Sequence, residues 1–505
     1  MNTPEIGILI SIIVYMIAII IVGIYYTKKN NNAGDFYLGG RKLGPFVTAM
    51  SAEASDMSSY LLMGLPGLAY LSGICDVFWT IVGLALGTYI NWLIVAKRLR
   101  RYTAKVNAIT IPDFFANRYR DKKLLKGISA LIIIIFFVPY TASGFAACGK
   151  LFHSLFDIDY MTAMIISAIV IIAYTTMGGF LAASITDFIQ SIIMSIALII
   201  VVLFGVNSVG GMEQVIANVK DLPGFLDLNA TFDVTTGTSS PYGIIAIIST
   251  VAWGLGYFGM PHILLRFMAI EDENKIKLSR RVASVWVVIA MAIALLIGII
   301  GFSMSQAGVI KHLEGSATET IIVQIAHALS QNGFLFALLA GIILAGILAS
   351  TMSTADSQLL AASSSVTENI MDGVFGVTLS DKAKVIVARC SVIVISIIAM
   401  FFAADPDSNI FTIVSFAWAG FGATFGPIML FALFWKRSNR YGAIAGMLSG
   451  GVMIFLWKFA VRPLGGIWDI YELLPAFIVA CIVNVVVSLL TKAPEQEIID
   501  EFESI

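Results

Sequence analysis

Charged side chains are scarce in this sequence: Asp, Glu, Lys and Arg make up 12% of its 505 residues. A soluble domain carries about a quarter, so a water-facing surface over the whole chain is excluded. Cysteine and histidine are rare too, with four of each. Cys75, Cys148, Cys390 and Cys481 stand far apart, with no CxxC pair and no metal-ligand spacing. They read as small apolar fillers. No HExxH or comparable zinc motif occurs, and no nucleophile–base set is visible, so hydrolytic and metal-dependent enzyme classes find no footing. The net charge of −1 gives no basic footprint for nucleic acid, and it says little more because the charges are segregated.

What the chain has instead is apolar surface. Hydrophobic residues make up 58% of it and its mean hydropathy is +0.91. The apolar runs approach the ~20 residues a helix needs to cross ~30 Å of hydrocarbon. An all-α polytopic membrane protein with thirteen spans is expected, near 6–26, 45–70, 77–96, 127–151, 160–178, 184–206, 242–260, 282–305, 333–362, 387–403, 410–435, 441–461 and 472–491. The first span has no basic residue before it and Lys28 and Lys29 after it. A cleaved signal peptide has the opposite polarity, so this reads as a retained helix with its N-terminus outside. In that orientation 26 of the 31 Lys and Arg fall on the cytoplasmic side, as the positive-inside rule requires, and the C-terminus is cytoplasmic. The stretch "PEQEIIDEFESI" after Lys492 is too short for a soluble sensor domain and reads as a solvated acidic tail.

Polarity enters the membrane at few places. An ionisable group at bilayer depth costs at least ~2.5 kcal/mol, so each one needs a reason. Glu53 and Asp56 lie in the second span, Asp187 near the start of the sixth and Asp356 in the ninth. The second span also contains "GLPG" (64–67) and the seventh "AWGLGYFGMP" (252–261). Two Gly/Pro-interrupted segments five spans apart are the pattern of paired discontinuous helices in an inverted-repeat secondary transporter. For the seventh span taken alone, close helix packing explains the glycines equally well. In the ninth, "ILASTMSTADSQLLAASSS", Ser350, Ser353, Thr354 and Ser357 recur at i, i+3, i+4 and i+7, on one helical face. A bond back to its own backbone explains any one hydroxyl, but four on a stripe call for a polar neighbour. Hard cations take oxygen ligands. Hydroxyls from this face and carbonyls from a broken second span can therefore hold a dehydrated sodium ion without a ring of carboxylates.

Four blocks then make the chain resemble the sodium/solute symporter family, over about residues 6–492: "LGGRKLGPFVTAMSAEASDMSSYLLMGLPG", "AWGLGYFGMPHILLRFMA", "MSTADSQLL" and "SFAWAGFGATFGP". Within that family the likeness is to bacterial members that carry proline. The resemblance implies a LeuT-type core of two inverted five-helix repeats, at about 45–206 and 242–435. The span at 6–26, the last two spans at 441–491 and the tail 492–505 lie outside that core. It implies a sodium site of carbonyls from Ala54, Met57 and Ser350 with hydroxyls from Ser353 and Thr354. Asp187 matches an acid near the ion's exit, Asp56 and Ser58 match positions that couple ion to substrate, and Arg41 matches a functional arginine at the start of the second span.

The family's proline pocket maps onto Ser58, Tyr140, Trp253, Tyr257 and Pro261. Proline is a zwitterion with a compact apolar ring, which suits aromatic walls. Trp253 and Tyr257 are four apart and share a helical face, and a half-helix N-terminus suits the carboxylate. Membrane aromatics more often form interface belts or core, and Tyr140 alone fits that description as well. Departures from the proline carriers fall at Glu53, Ser59 and Tyr60, where those have glycine, glycine and tryptophan. They leave side-chain preference open. Glu53 is three residues from Asp56 on one face, either as a neutral acid or paired with a base elsewhere. Asp356 reads as a hydrogen-bonding partner within the bundle.

The expected activity is sodium-coupled uptake of L-proline by alternating access in a bacterial cytoplasmic membrane. Na+ is the coupling ion, there is no other cofactor and no covalent chemistry, and no obligate protein partner is evident. Replacement of sodium by lithium or protons is open. The same mechanism with another amino acid, a betaine-like compound or a carboxylate is the nearest alternative, and a membrane-embedded enzyme or a sensor the more distant one.

Overall fold

Apolar runs become long helices in the computed structural model, which describes residues 3–27, 33–121 and 123–505. Lys28 and Lys29, on which the orientation reading leans, lie outside the described residues. Among those described, ten helices are long and apolar enough to cross a membrane, or eleven if the bent pair Ile244–Phe258 and Pro261–Ala269 counts as one span. Two further features bring the count to the expected thirteen. Tyr160–Ser208 runs for 49 residues, about 74 Å at ~1.5 Å per residue, more than twice the thickness of the hydrocarbon core. It turns at Gly179, whose φ of 68° and ψ of −179° break the helical geometry, and so supplies the fifth and sixth spans. The second span is assembled from three pieces: Pro45–Ser59, a π-helical Tyr60–Gly64, and Leu65–Ser72.

Several helices outrun the expected boundaries. The third span belongs to Ile74–Lys105 rather than 77–96, and the ninth to Phe334–Val374 rather than 333–362. Charged residues mark where hydrocarbon ends, but the helix continues through them. The ninth span is central: it packs against the first, second, fourth and the paired fifth and sixth spans. The last two spans, Arg440–Leu456 with its π extension and Leu473–Leu490, pack on the eleventh, Ile410–Phe434. Apolar side chains such as Leu203, Phe401 and Val452 face outward, as a lipid-contacting surface requires.

Two segments outside the expected spans hold secondary structure of their own. The connection before the seventh span carries a hairpin, Ala230–Asp233 against Thr238–Pro241, and the Phe225 carbonyl in it accepts from the Ile74 amide at the start of the third span (2.9 Å). The acidic tail forms the helix Gln496–Glu503, which docks on the bundle. Ile498 and Phe502, four apart, are both buried. The Phe502 ring lies 4.7 Å from the Arg98 guanidinium and 5.0 Å from that of Arg118. Glu501 pairs with Arg120 (2.9 Å) and Glu503 with Lys436 (2.7 Å). The tail's acidity had masked its one apolar stripe.

Candidate ion and substrate site

The second span breaks at Ser58, whose φ of 47° and ψ of −165° lie outside helical space. A non-glycine residue held there costs on the order of 1–3 kcal/mol, so the surroundings must enforce it. The Ser58 hydroxyl accepts a bond from the Tyr60 amide (3.1 Å), and the same amide also reaches the Met57 carbonyl. Thr48 through Ser59 are all buried. The irregular backbone therefore sits inside protein, the one setting in which it is tolerated at membrane depth.

Opposite this break, the ninth span presents its hydroxyls. Ser353 Oγ lies 2.8 Å from the Ala54 carbonyl oxygen and 3.2 Å from that of Ser350. Thr354 Oγ1 lies 3.1 Å from the Ser350 carbonyl. Four of the five expected ligands thus form one hydrogen-bonded cluster joining two spans. The fifth, the Met57 carbonyl, belongs to the residue before the break. A cation entering the cluster would turn hydroxyl lone pairs toward itself and take over the carbonyls. No group of three or more His, Cys, Asp or Glu able to hold a metal occurs among the described residues. Neutral oxygens of this kind suit a hard monovalent ion that must also leave again.

Next to the cluster is a chamber of about 10 Å³ whose aromatic walls are Tyr60, Tyr140, Trp253 and Trp418, with Asp56, Met57, Leu84 and Val414 completing it. Tyr60 stacks on Trp253 (5.5 Å) and on Phe411 (5.6 Å), and Trp253 on Tyr471 (5.1 Å). The Trp418 indole donates to the Trp253 carbonyl (2.8 Å), and its ring meets the Tyr257 edge at 5.0 Å. Tyr257 in turn donates to Asp56 Oδ2 (2.6 Å), and Tyr140 reaches the Asp56 carbonyl (3.3 Å). Of the five expected pocket residues, Tyr140 and Trp253 line the chamber and Ser58 lines an adjoining polar cavity. Tyr257 acts on the chamber through Asp56. Pro261 does not line it; it opens the helix after the 45° bend of the seventh span.

The other buried charges have identifiable partners. Asp187 accepts from Ser51 (2.7 Å) and from Arg266 Nη2 (2.9 Å), and Arg266 also reaches Ser357 Oγ (2.6 Å). Removing one member of such a pair strands the other charge in the bundle. Glu53 accepts from the Trp92 indole (3.0 Å), and no base pairs with it among the described residues. Asp356 Oδ1 accepts from the neighbouring Ser357 (3.1 Å). Arg41 donates to the carbonyls of Met268 (2.7 Å), Ala108 (2.7 Å) and Thr103 (3.0 Å), tying the start of the second span to the ends of the third and seventh. Sequence reasoning had not singled out Trp418 and Arg266, although both stand in blocks it quoted. Leu84 and Val414 carry no signal beyond being apolar.

A bundle whose second and seventh spans are both interrupted around a buried polar centre is a secondary transporter of the LeuT type. The chain belongs to the sodium:solute symporter family, whose pattern matches residues 36–450. It is similar to the sodium/proline symporter of Haemophilus influenzae, 43% identical over 498 residues that cover 98% of this chain and 97% of that one. The osmoregulated proline transporter OpuE of Bacillus subtilis is 42% identical, with 97% of this chain and 96% of that one covered. Among solved structures, a Na+-coupled sialic acid symporter shares the fold with a TM-score of 0.79 at 17% identity, covering 97% of this chain and 99% of that one. The family and these relatives are carriers and not enzymes. Together with the many apolar spans, membership makes this a multi-pass membrane protein.

Proposed function

We propose that this chain takes up L-proline by alternating access, driven by sodium. The observation that carries the reading is the Ser353 hydroxyl 2.8 Å from the Ala54 carbonyl, beside the break at Ser58. Sodium bound by Ala54, Met57, Ser350, Ser353 and Thr354 draws the ninth span onto the second. Asp56, Met57 and Tyr60 of that same second span wall the aromatic chamber. Ion and substrate therefore shape one element, and each stabilises the geometry the other needs. Near-full-length relatives named for sodium and proline support the same assignment.

In this conformation an aromatic stack and a buried ion pair flank the chamber. The Tyr60–Trp253–Phe411 stack closes it toward the end of the bundle where the eleventh span begins, and the Arg266–Asp187 pair lies toward the other. With the N-terminus outside and the C-terminus cytoplasmic, the aromatic stack is the outer barrier. The ion pair, with Asp187 on the ion's way out, is then the inner one. Inward movement of the loaded carrier opens that pair and releases both cargoes. Tyr140 and Trp253 face the ring of proline, Tyr257 orients Asp56, Pro261 fixes the bend, and Arg41 holds the cytoplasmic ends together. The repeats run at about 45–206 and 242–435, with the first, twelfth and thirteenth spans outside them, in a bacterial cytoplasmic membrane.

Uptake of labelled L-proline into proteoliposomes under an imposed sodium gradient, with competitors, tests this reading. Excess unlabelled L-proline is expected to abolish uptake, and dissipation of the gradient to collapse accumulation. If another amino acid, a betaine or a carboxylate blocks uptake while L-proline does not, the substrate assignment is wrong.

A further inference from the structure

Beside the aromatic chamber lies a second cavity of different character. It is formed by the second, fourth and ninth spans and bears Ser58, Ser59, Tyr140, Thr141, Thr354 and Gln358. Its volume of about 10 Å³ is room for roughly one water-sized atom. Tyr140 is a wall of both cavities, and Thr354 belongs also to the ion cluster. Two fully buried groups here have no protein partner, Ser59 Oγ and Gln358 Nε2. With the Thr141 hydroxyl donating to Gln358 Oε1 (3.1 Å), the NH2 of that amide is the end without a partner. Leaving a buried polar group unmatched costs about 1–3 kcal/mol, so a cavity lined by two residues with unmatched donors is a candidate seat for an acceptor.

We propose that this cavity receives one oxygen of the substrate's carboxylate, bonded by Ser59 and Gln358, while the apolar ring enters the aromatic chamber as the stacked Tyr60 and Trp253 part to widen it and the ammonium faces Asp56. This rests on the proline-carrier reading and extends it to the orientation of the zwitterion. The charge balance supports it. Neither cavity is lined by a cationic side chain, and the buried Arg266 and Lys150 are committed to Asp187 and Glu319. The positive charge that makes a carboxylate acceptable is then the sodium ion itself, held by Thr354 on the cavity wall. A carrier built this way admits the anionic end of its substrate only after the ion is seated.

The test uses Gln358→Met, which keeps the length and loses both donors, and Ser59→Ala, each in the full-length carrier. Proline half-saturation is read from uptake at saturating sodium. Sodium binding without proline is read from intrinsic tryptophan fluorescence, which also reports folding. The expected result is a tenfold or greater rise in proline half-saturation for Gln358→Met and a threefold or greater rise for Ser59→Ala. Sodium binding alone should shift less than twofold. If Gln358→Met does not fold, Ser59→Ala decides on the same criteria. Wild-type proline half-saturation in the folded variants overturns the carboxylate seat while leaving proline carriage standing. A rise in sodium half-saturation as large as that for proline also overturns it, because the cavity would then belong to the ion. Absence of proline uptake by the unaltered protein brings down both readings.

Discussion

The second and seventh spans are both interrupted, but by opposite means. The second breaks at one residue, Ser58, in a sheath of hydroxyls and carboxyls, and hydrogen bonds hold the strained serine in place. The seventh breaks over a seven-residue 3-10 stretch, Ala252–Phe258, that is threaded with glycine. A Cβ at Gly254 would overlap the Gly83 carbonyl oxygen, and one at Gly256 would overlap the Trp418 indole nitrogen. One break is made by polar chemistry and the other by close packing. The difference shows that a span can be interrupted by close packing as well as by polar chemistry. The seventh can serve by bringing an aromatic wall and its own carbonyl against Trp418, while the second supplies the oxygens.

That contrast breaks if the two spans respond alike to substitution. The largest effect is expected from Gly254→Ala, because the obstacle is backbone and cannot move aside. Overpacking of this kind costs at least ~1–3 kcal/mol, and the folded yield after detergent extraction should fall steeply. A normal yield would mean that the seventh span is not held by close approach. Trp253→Ala should come next, raising proline half-saturation by roughly tenfold or more, ~1.4 kcal/mol, with sodium activation little changed. An equal shift in both curves would erase the division of labour between the spans. Tyr257→Phe removes the bond to Asp56 and should cost about 1 kcal/mol, roughly a fivefold loss of apparent proline affinity. Phe502→Ala, remote from both breaks, serves as a control. It should loosen the tail helix, lowering stability by the ~1.5–3 kcal/mol of a buried ring, and leave both activation curves where they are.

Much of this arrangement was legible in the chain because its signals are local. Hydropathy marks spans, and a 3.6-residue period puts Ser350, Ser353, Thr354 and Ser357 on one face without any tertiary information. The unit that was not legible is contact between distant segments. Arg266 looks like an ordinary basic residue at the end of a span until Asp187 is found 2.9 Å away, 79 residues distant in sequence. Trp418 reads as one more membrane aromatic until its indole meets the Trp253 carbonyl. Glu53 left two readings open, and the Trp92 indole, a neutral donor, is its partner. The tail misled through composition: most residues around Ile498 and Phe502 are polar or acidic, yet those two are the ones buried where it docks. The glycines of the seventh span satisfied both readings at once, since close approach is how that helix is interrupted.

The sodium activation curve of L-proline uptake, measured in proteoliposomes for Ser353→Ala and Thr354→Ala against the unaltered carrier, tests the ion site most directly. Each variant, present in the membrane at normal amounts, should need at least tenfold more sodium for half-maximal uptake, ~1.4 kcal/mol or more per lost ligand. Two curves that superimpose on that of the unaltered carrier would contradict a sodium ion held between the second and ninth spans.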